Sequence, residues 1–137
     1  DAELFSEWIP WQAITFDDPS TFQNLAGVAA QGHREGTITG IAMAFDATLA
    51  PGIHIRTFPQ DPETHWKQGF CAFPTSPVEY QIGDVVYVEL HLAAGPSRCI
   101  EMEQRVVSGP AEQVIAYIRQ RIAETSPAEE QAAAAPG

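Results

Sequence analysis

The chain has 137 residues, 45% of them hydrophobic, which is enough for a single domain with one core. Its formal net charge of −11 argues against nucleic acid or an anionic membrane as the main partner. The charge fits a basic partner, but acidity also keeps many proteins soluble. No apolar run is long enough to span a bilayer.

The first predicted element is an aromatic-rich strap, "LFSEWIPWQ" (residues 4–12), which we expect to pack on the body of the domain. After it, alternation of apolar and polar residues between turn sequences such as "DDPS" and "LAPG" predicts short antiparallel strands. These strands are predicted at 12–16, 22–30, 36–49, 53–56, 69–73, 78–81, 83–92 and 99–107. The pattern predicts a mainly β fold, an antiparallel barrel or sandwich.

The strands predicted at 83–92 and 99–107 are expected to be half-buried, with one apolar and one polar face. The polar face carries Tyr87, Glu89 and His91 in the first of these strands, and Glu101, Glu103 and Arg105 in the second. Glu101 and Glu103 could form a catalytic acid pair, but a solvated pair is the favoured interpretation.

One amphipathic helix is predicted at 109–125, with Pro110 at its first position and two arginines near its C-terminal end. Its apolar stripe is expected to pack on the barrel or on a neighbouring domain, and consists of Val114, Ile115, Ile118 and Ile122. The chain therefore divides into a strap and barrel (1–108), a helix (109–125) and a low-complexity tail (126–137).

Nucleotide and metal motifs are absent from the sequence. It has no glycine-rich phosphate loop and no histidine or cysteine pair at ligand spacing. His33, His54 and His91 are predicted at the surface. Cys71 and Cys99 are interpreted as buried, reduced thiols of a cytoplasmic protein, with a single disulfide left open.

The stretch "PETHWKQ" (62–68) follows a loop that Pro59 and Pro62 make stiff. Thr64 can bond the local backbone, and the indole of Trp66 can stack on a planar cation. From these residues alone, the favoured interpretation is that Trp66 fills the core with His65 as its satisfied neighbour.

"THWKQ" resembles the Thr-His-Trp loop in the C-terminal β-barrel domain of protein arginine N-methyltransferases. The strands and turns around it are also similar to that family, over about residues 11–107. The resemblance implies that Thr64, His65 and Trp66 are substrate-binding residues that close the pocket for the acceptor arginine.

The resemblance also implies a Rossmann-type lobe, in the same or another chain, that binds S-adenosylmethionine and supplies two glutamates. No segment here matches that lobe, so no cofactor-binding or catalytic residue is assigned in this chain. The implied substrate is a basic or arginine-containing peptide. The alternative functions are a non-catalytic protein-interaction module derived from the barrel, and an unrelated β-sandwich with a chance "THWKQ".

Overall fold

A computed structural model describes residues 3–75 and 77–125. Within them the chain is mainly β, with antiparallel strands and one C-terminal helix, which confirms the predicted class. The strands are β1 (Leu25–Gln31), β2 (Gly36–Ile38), β3 (Gly40–Met43), β4 (Asp46–Ala50), β5 (Ile53–Arg56), β6 (Gly69–Ala72), β7 (Val78–Tyr80), β8 (Asp84–Ala94) and β9 (Ile100–Pro110), and the helix is α1 (Ala111–Thr125). No closed barrel is detected among these residues, and the predicted tail lies outside them.

The chain divides into two compact units, and the boundaries fall within β2 and β7. The first unit comprises Asp1–Gly36 and Glu79–Gly137, and the second comprises Thr37–Val78. The first therefore contains β1, β8, β9 and α1, and the second contains β3, β4, β5 and β6.

The first unit is built on a three-stranded antiparallel sheet in the order β1-β8-β9. In its register Val28 lies opposite Val88, and Val88 lies opposite Val106. Helix α1 packs on β8 and β9. The central strand β8 is therefore paired along both edges and covered by α1 on one face.

The prediction of a half-buried β8 is wrong. Val86, Val88 and Leu90 are buried as expected, but Tyr87 and Glu89 on the other face are buried as well. Helix α1 covers that second face, since the Tyr117 ring lies 6.2 Å from the Tyr87 ring. Alternation along a strand shows which residues share a face, but not whether a later element covers it.

Helix α1 begins at Ala111, one residue after Pro110, which was predicted as its first position. Pro110 is the last residue of β9, paired with Asp84, and Ala111 starts α1. A proline is tolerated at the end of an edge strand because no ladder hydrogen bond needs its missing N–H.

The predicted apolar stripe is only partly the packed face of α1. Val114 is 1% exposed, whereas Ile115 and Ile122 are 45% and 61% exposed. Helical periodicity puts Arg121, seven residues after Val114, on the same face, and Arg121 does contact the sheet. Arg121, one of the two arginines predicted near the C-terminal end of the helix, therefore packs against β8.

The N-terminal strap packs on its own unit, as predicted. The Phe5 ring makes an edge-to-face contact with the Tyr80 ring, with centroids 4.2 Å apart. Tyr80 is 1% exposed, and its hydroxyl accepts from Gly32 N and donates to Asp84 O, each at 2.5 Å. Strap, β1 and β8 therefore meet around one buried phenol.

The strand predicted at 12–16 does not form. The side-chain amide of Gln12 donates to Gln23 O at 3.0 Å and accepts from Gln23 N at 2.9 Å. Asp18 caps a 3-10 turn at Pro19–Thr21. Side-chain hydrogen bonds thus close this segment into a loop where the alternation predicted a ladder.

The second unit contains two antiparallel pairs, β3 with β6 and β4 with β5. The single strand predicted at 36–49 is divided because its successive parts have different partners. Between β3 and β4, Phe45 binds Thr57, whose N–H donates to Phe45 O at 3.1 Å and whose hydroxyl accepts from Phe45 N at 3.0 Å. Thr57 is only 3% exposed and forms a fixed starting point for the loop that follows.

Candidate functional site

The loop between β5 and β6, residues 57–68, is tied at both ends. Thr57 is held by Phe45, and the side-chain amide of Gln68 donates to Thr57 O. Within the loop, Asp61 N donates to Phe58 O at 3.0 Å, which closes a turn. Together with Pro59 and Pro62, these bonds limit the conformations that the loop can adopt.

The Thr-His-Trp segment lies in this loop, with Thr64 half-buried and both His65 and Trp66 exposed. The Thr64 hydroxyl donates to Trp66 O at 2.6 Å, and the His65 and Trp66 rings meet edge to face at 6.0 Å. Trp66 is 52% exposed, so the interpretation in which it fills the core is wrong. Its indole is accessible to a ligand.

A groove of about 310 Å³ runs along the loop. Every residue from Thr57 to Gln68 lines it except Gln60 and His65. Two of the three predicted site residues, Thr64 and Trp66, therefore line the groove. His65 does not line the groove, but its ring lies next to the Trp66 ring.

Sequence reasoning missed the charged groups of the groove, which are the carboxylates of Asp61 and Glu63 and the ammonium of Lys67. The signal was available in "FPQDPET", where two acids alternate with the prolines of a stiff loop. An indole face beside carboxylates is suited to bind a planar cation.

One of these carboxylates already has a cationic partner in the chain. Arg56 Nε lies 3.3 Å from Asp61 Oδ2 and 3.6 Å from Asp46 Oδ2. The guanidinium of Arg56 also lies over the Phe58 ring, 5.1 Å from its centroid. Asp46 in turn lies 3.3 Å from His54 Nδ1. A short polar network thus continues from the groove along the β4–β5 hairpin.

The first unit has a separate polar cluster around Glu89, beside a smaller cavity of about 180 Å³. Glu89 Oε1 accepts from Arg121 at 2.6 Å, and Glu89 Oε2 accepts from the Tyr87 hydroxyl at 3.0 Å. Arg105 Nε lies 3.7 Å away. Because Arg121 of α1 donates to Glu89 of β8, and Tyr87 of the same strand does so too, we interpret the cluster as the attachment of α1 to the sheet.

Burial and hydrogen bonding in this cluster shift the pKa values of Glu89 and Tyr87. The hydrogen bond from Arg121 lowers the pKa of Glu89 below its usual range, against the effect of burial. Burial and the bond to Glu89 raise the pKa of Tyr87 to about 12. At neutral pH the phenol is therefore a proton donor and Glu89 an ionised acceptor.

The remaining candidate residues lie at the surface. His33, His54 and His91 are exposed as predicted, and Glu101 and Glu103 form an exposed pair on β9. Cys71 and Cys99 are free thiols, but the prediction that both are buried is wrong: Cys71 is partly exposed, and Cys99, next to a 3-10 turn before β9, is exposed.

In the part of the chain that the structure describes, no three acidic, histidine or cysteine side chains are grouped to hold a metal ion. Nor does any helix in residues 3–75 and 77–125 have the length and apolarity needed to cross a membrane. Comparisons with models of known protein families, with curated proteins and with solved structures find no match.

Proposed function

We propose that this chain is the substrate-side domain of an S-adenosylmethionine-dependent protein arginine N-methyltransferase-like enzyme. In this proposal the groove of the 57–68 loop receives the arginine-bearing segment of a basic peptide. The observation that carries the proposal is the half-exposed indole of Trp66 in the same groove as the carboxylates of Asp61 and Glu63.

The chemistry of the groove supports a guanidinium ligand. A planar cation can stack on the indole face while its N–H groups donate to a carboxylate. The net charge of −11 would attract a basic peptide to the domain and raise its association rate at low salt.

In the complete enzyme, S-adenosylmethionine supplies the methyl group from a Rossmann-type lobe, which also contributes the paired glutamates. The residues of this chain bind and orient the peptide substrate. Trp66 and the carboxylates hold the peptide, and the hydrogen bonds at both ends of the loop keep these side chains in place. Proximity and alignment of the acceptor nitrogen contribute a large part of catalysis in such displacements. The two free thiols support a cytoplasmic location for this enzyme.

The second candidate is a non-catalytic module that binds a basic peptide. The observation that favours it is that the groove offers binding groups only: an indole, carboxylates and an ammonium. Both candidates require peptide binding, and only the first requires that this binding contribute to methyl transfer.

Methyl transfer to an arginine peptide, measured with a methyl-donor lobe of the arginine methyltransferase family fused to or mixed with the chain, tests the proposal. We expect the chain to raise turnover, and Trp66→Ala and His65→Ala to lower it. Phe16→Ala is the matched control, because Phe16 is an aromatic residue that is 82% exposed in the other unit. A donor lobe that is equally active without this chain, together with intact peptide binding, would select the second candidate.

A further inference from the structure

The loop between β5 and β6 contains the same two kinds of side chain twice at the same spacing. Phe58 and Asp61 are an aromatic ring and a carboxylate three residues apart, and Glu63 and Trp66 are a carboxylate and an aromatic ring three residues apart. All four line the groove. The two pairs differ in what occupies them.

The first pair holds a guanidinium from the chain itself. Arg56 lies over the Phe58 ring at 5.1 Å, and its Nε lies 3.3 Å from Asp61 Oδ2. The Asp61 side chain is only 19% exposed. This arrangement, with an aromatic ring on the face of the cation and a carboxylate on its edge, is a general way to bind arginine.

The second pair has the same chemistry and remains accessible. Trp66 is 52% exposed, and none of the ion pairs found among the described residues includes Glu63. We infer that Glu63 and Trp66 form the guanidinium-binding subsite of the groove, of which Arg56 with Phe58 and Asp61 is the occupied counterpart. The inference rests on the proposed function and names the residues that recognise the ligand's charge.

A division of roles follows between the two carboxylates. Asp61 is partly buried and already lies 3.3 Å from Arg56, so it contributes less to the binding of an incoming cation than Glu63 does. Lys67 also lines the groove and opposes a cationic ligand. Arginine is favoured over lysine, because the flat guanidinium can stack on the indole while it donates to the carboxylate from its edge.

Binding of the peptide Gly-Gly-Arg-Gly-Gly to the full 137-residue chain tests this subsite by NMR titration. The indole N–H of Trp66, one of three tryptophan signals, is assigned with Trp66→Phe, and backbone amide signals of the loop report binding in the variants that lack this indole. We expect Glu63→Gln to weaken binding about threefold to fivefold, the range of an exposed charge pair. Glu101→Gln removes the same charge from an exposed position on β9. It should change the affinity by no more than about 1.5-fold, which is the effect of weaker long-range attraction of the peptide.

Three further measurements complete the test. Trp66→Ala should reduce affinity more than Glu63→Gln does, Lys67→Gln should raise it, and the lysine analogue of the peptide should bind about threefold more weakly. If Trp66→Ala weakens binding but Glu63→Gln behaves like Glu101→Gln, the subsite is overturned and the proposed function stands. If the arginine peptide does not bind, or if Trp66→Ala has no effect on it, both are overturned.

Discussion

Glu89 in the central strand and Arg121 in the C-terminal helix are joined by a hydrogen bond of 2.6 Å between Oε1 and a terminal guanidinium nitrogen. The carboxylate side chain is 5% exposed and the arginine side chain 16% exposed. The two residues are 32 positions apart in the chain, and their contact holds the helix to the sheet.

Arg121→Met is expected to destabilise the protein, because it leaves a buried carboxylate without its main partner. Removing one partner of a buried ion pair costs about 3 kcal/mol in unfolding free energy, although Tyr87 and Arg105 remain close to Glu89. Chemical denaturation with urea measures it. Arg119→Met, at an exposed position of the same helix, is the control and should change little.

The double variant Glu89→Leu with Arg121→Met should recover most of that loss, because no buried charge then remains. Equal stability of Arg121→Met and Arg119→Met would show that the ion pair does not hold the helix in solution.

Acid should weaken the fold through the same carboxylate. The pKa of Glu89 is lowered from 4.5, chiefly by the hydrogen bond from Arg121. Its contribution to stability is therefore complete above pH 4.5 and is lost as the pH falls through the lower pKa of the folded state. Urea titrations between pH 3 and pH 6 should show a smaller dependence of unfolding free energy on pH in Glu89→Gln than in the wild type. Identical slopes would contradict the assignment.

Gly27→Ala should destabilise the first unit. A Cβ at Gly27 would overlap the ring and hydroxyl of Tyr87 across the β1–β8 pair. That ring cannot move freely, since its hydroxyl binds Glu89 and its edge meets Tyr117. We expect a loss of about 2 kcal/mol, typical of overpacking in a core. Thermal unfolding provides the measurement.

The matched control is Gly69→Ala, where the nearest atom to a new Cβ is the Met43 methyl at 3.6 Å, an ordinary contact. A loss at Gly27 no larger than that at Gly69 would mean that the Tyr87 ring is less constrained than its contacts indicate.

Thr64→Val should loosen the Thr-His-Trp segment. The substitution keeps the shape of the side chain but removes the hydroxyl that donates to Trp66 O at 2.6 Å. A hydrogen bond of this kind contributes about 1 kcal/mol, so the native conformation of the segment should lose about fivefold in relative population. The Trp66 indole signal should shift or broaden in NMR spectra, and the arginine peptide should bind more weakly. Thr64→Ser retains the hydroxyl and should resemble the wild type; a signal unchanged in Thr64→Val would refute this role.

Local patterns in the sequence were sufficient for the class of the fold and for the loop that carries the candidate site. The strand at Ile53–Arg56 was predicted with its observed limits, and β8, β9 and the terminal helix were found within a few residues. Alternation and helical spacing are local properties, so a single sequence can show them. The stiff loop was predicted from its prolines. The residues alone favoured Trp66 as a core residue, and its accessible position was expected only from the family resemblance.

Tertiary structure alone decided which faces are covered. Tyr87 and Glu89 alternate like surface residues, and they are buried because a helix that follows much later in the chain packs over them. In the groove, the conformation of the loop decides which carboxylate is paired: Asp61 lies 3.3 Å from Arg56, while Glu63 has no ion pair in the described residues. The burial of Tyr87 and the pairing of Glu89 with Arg121 depend on contacts between residues distant in sequence, which no local periodicity encodes.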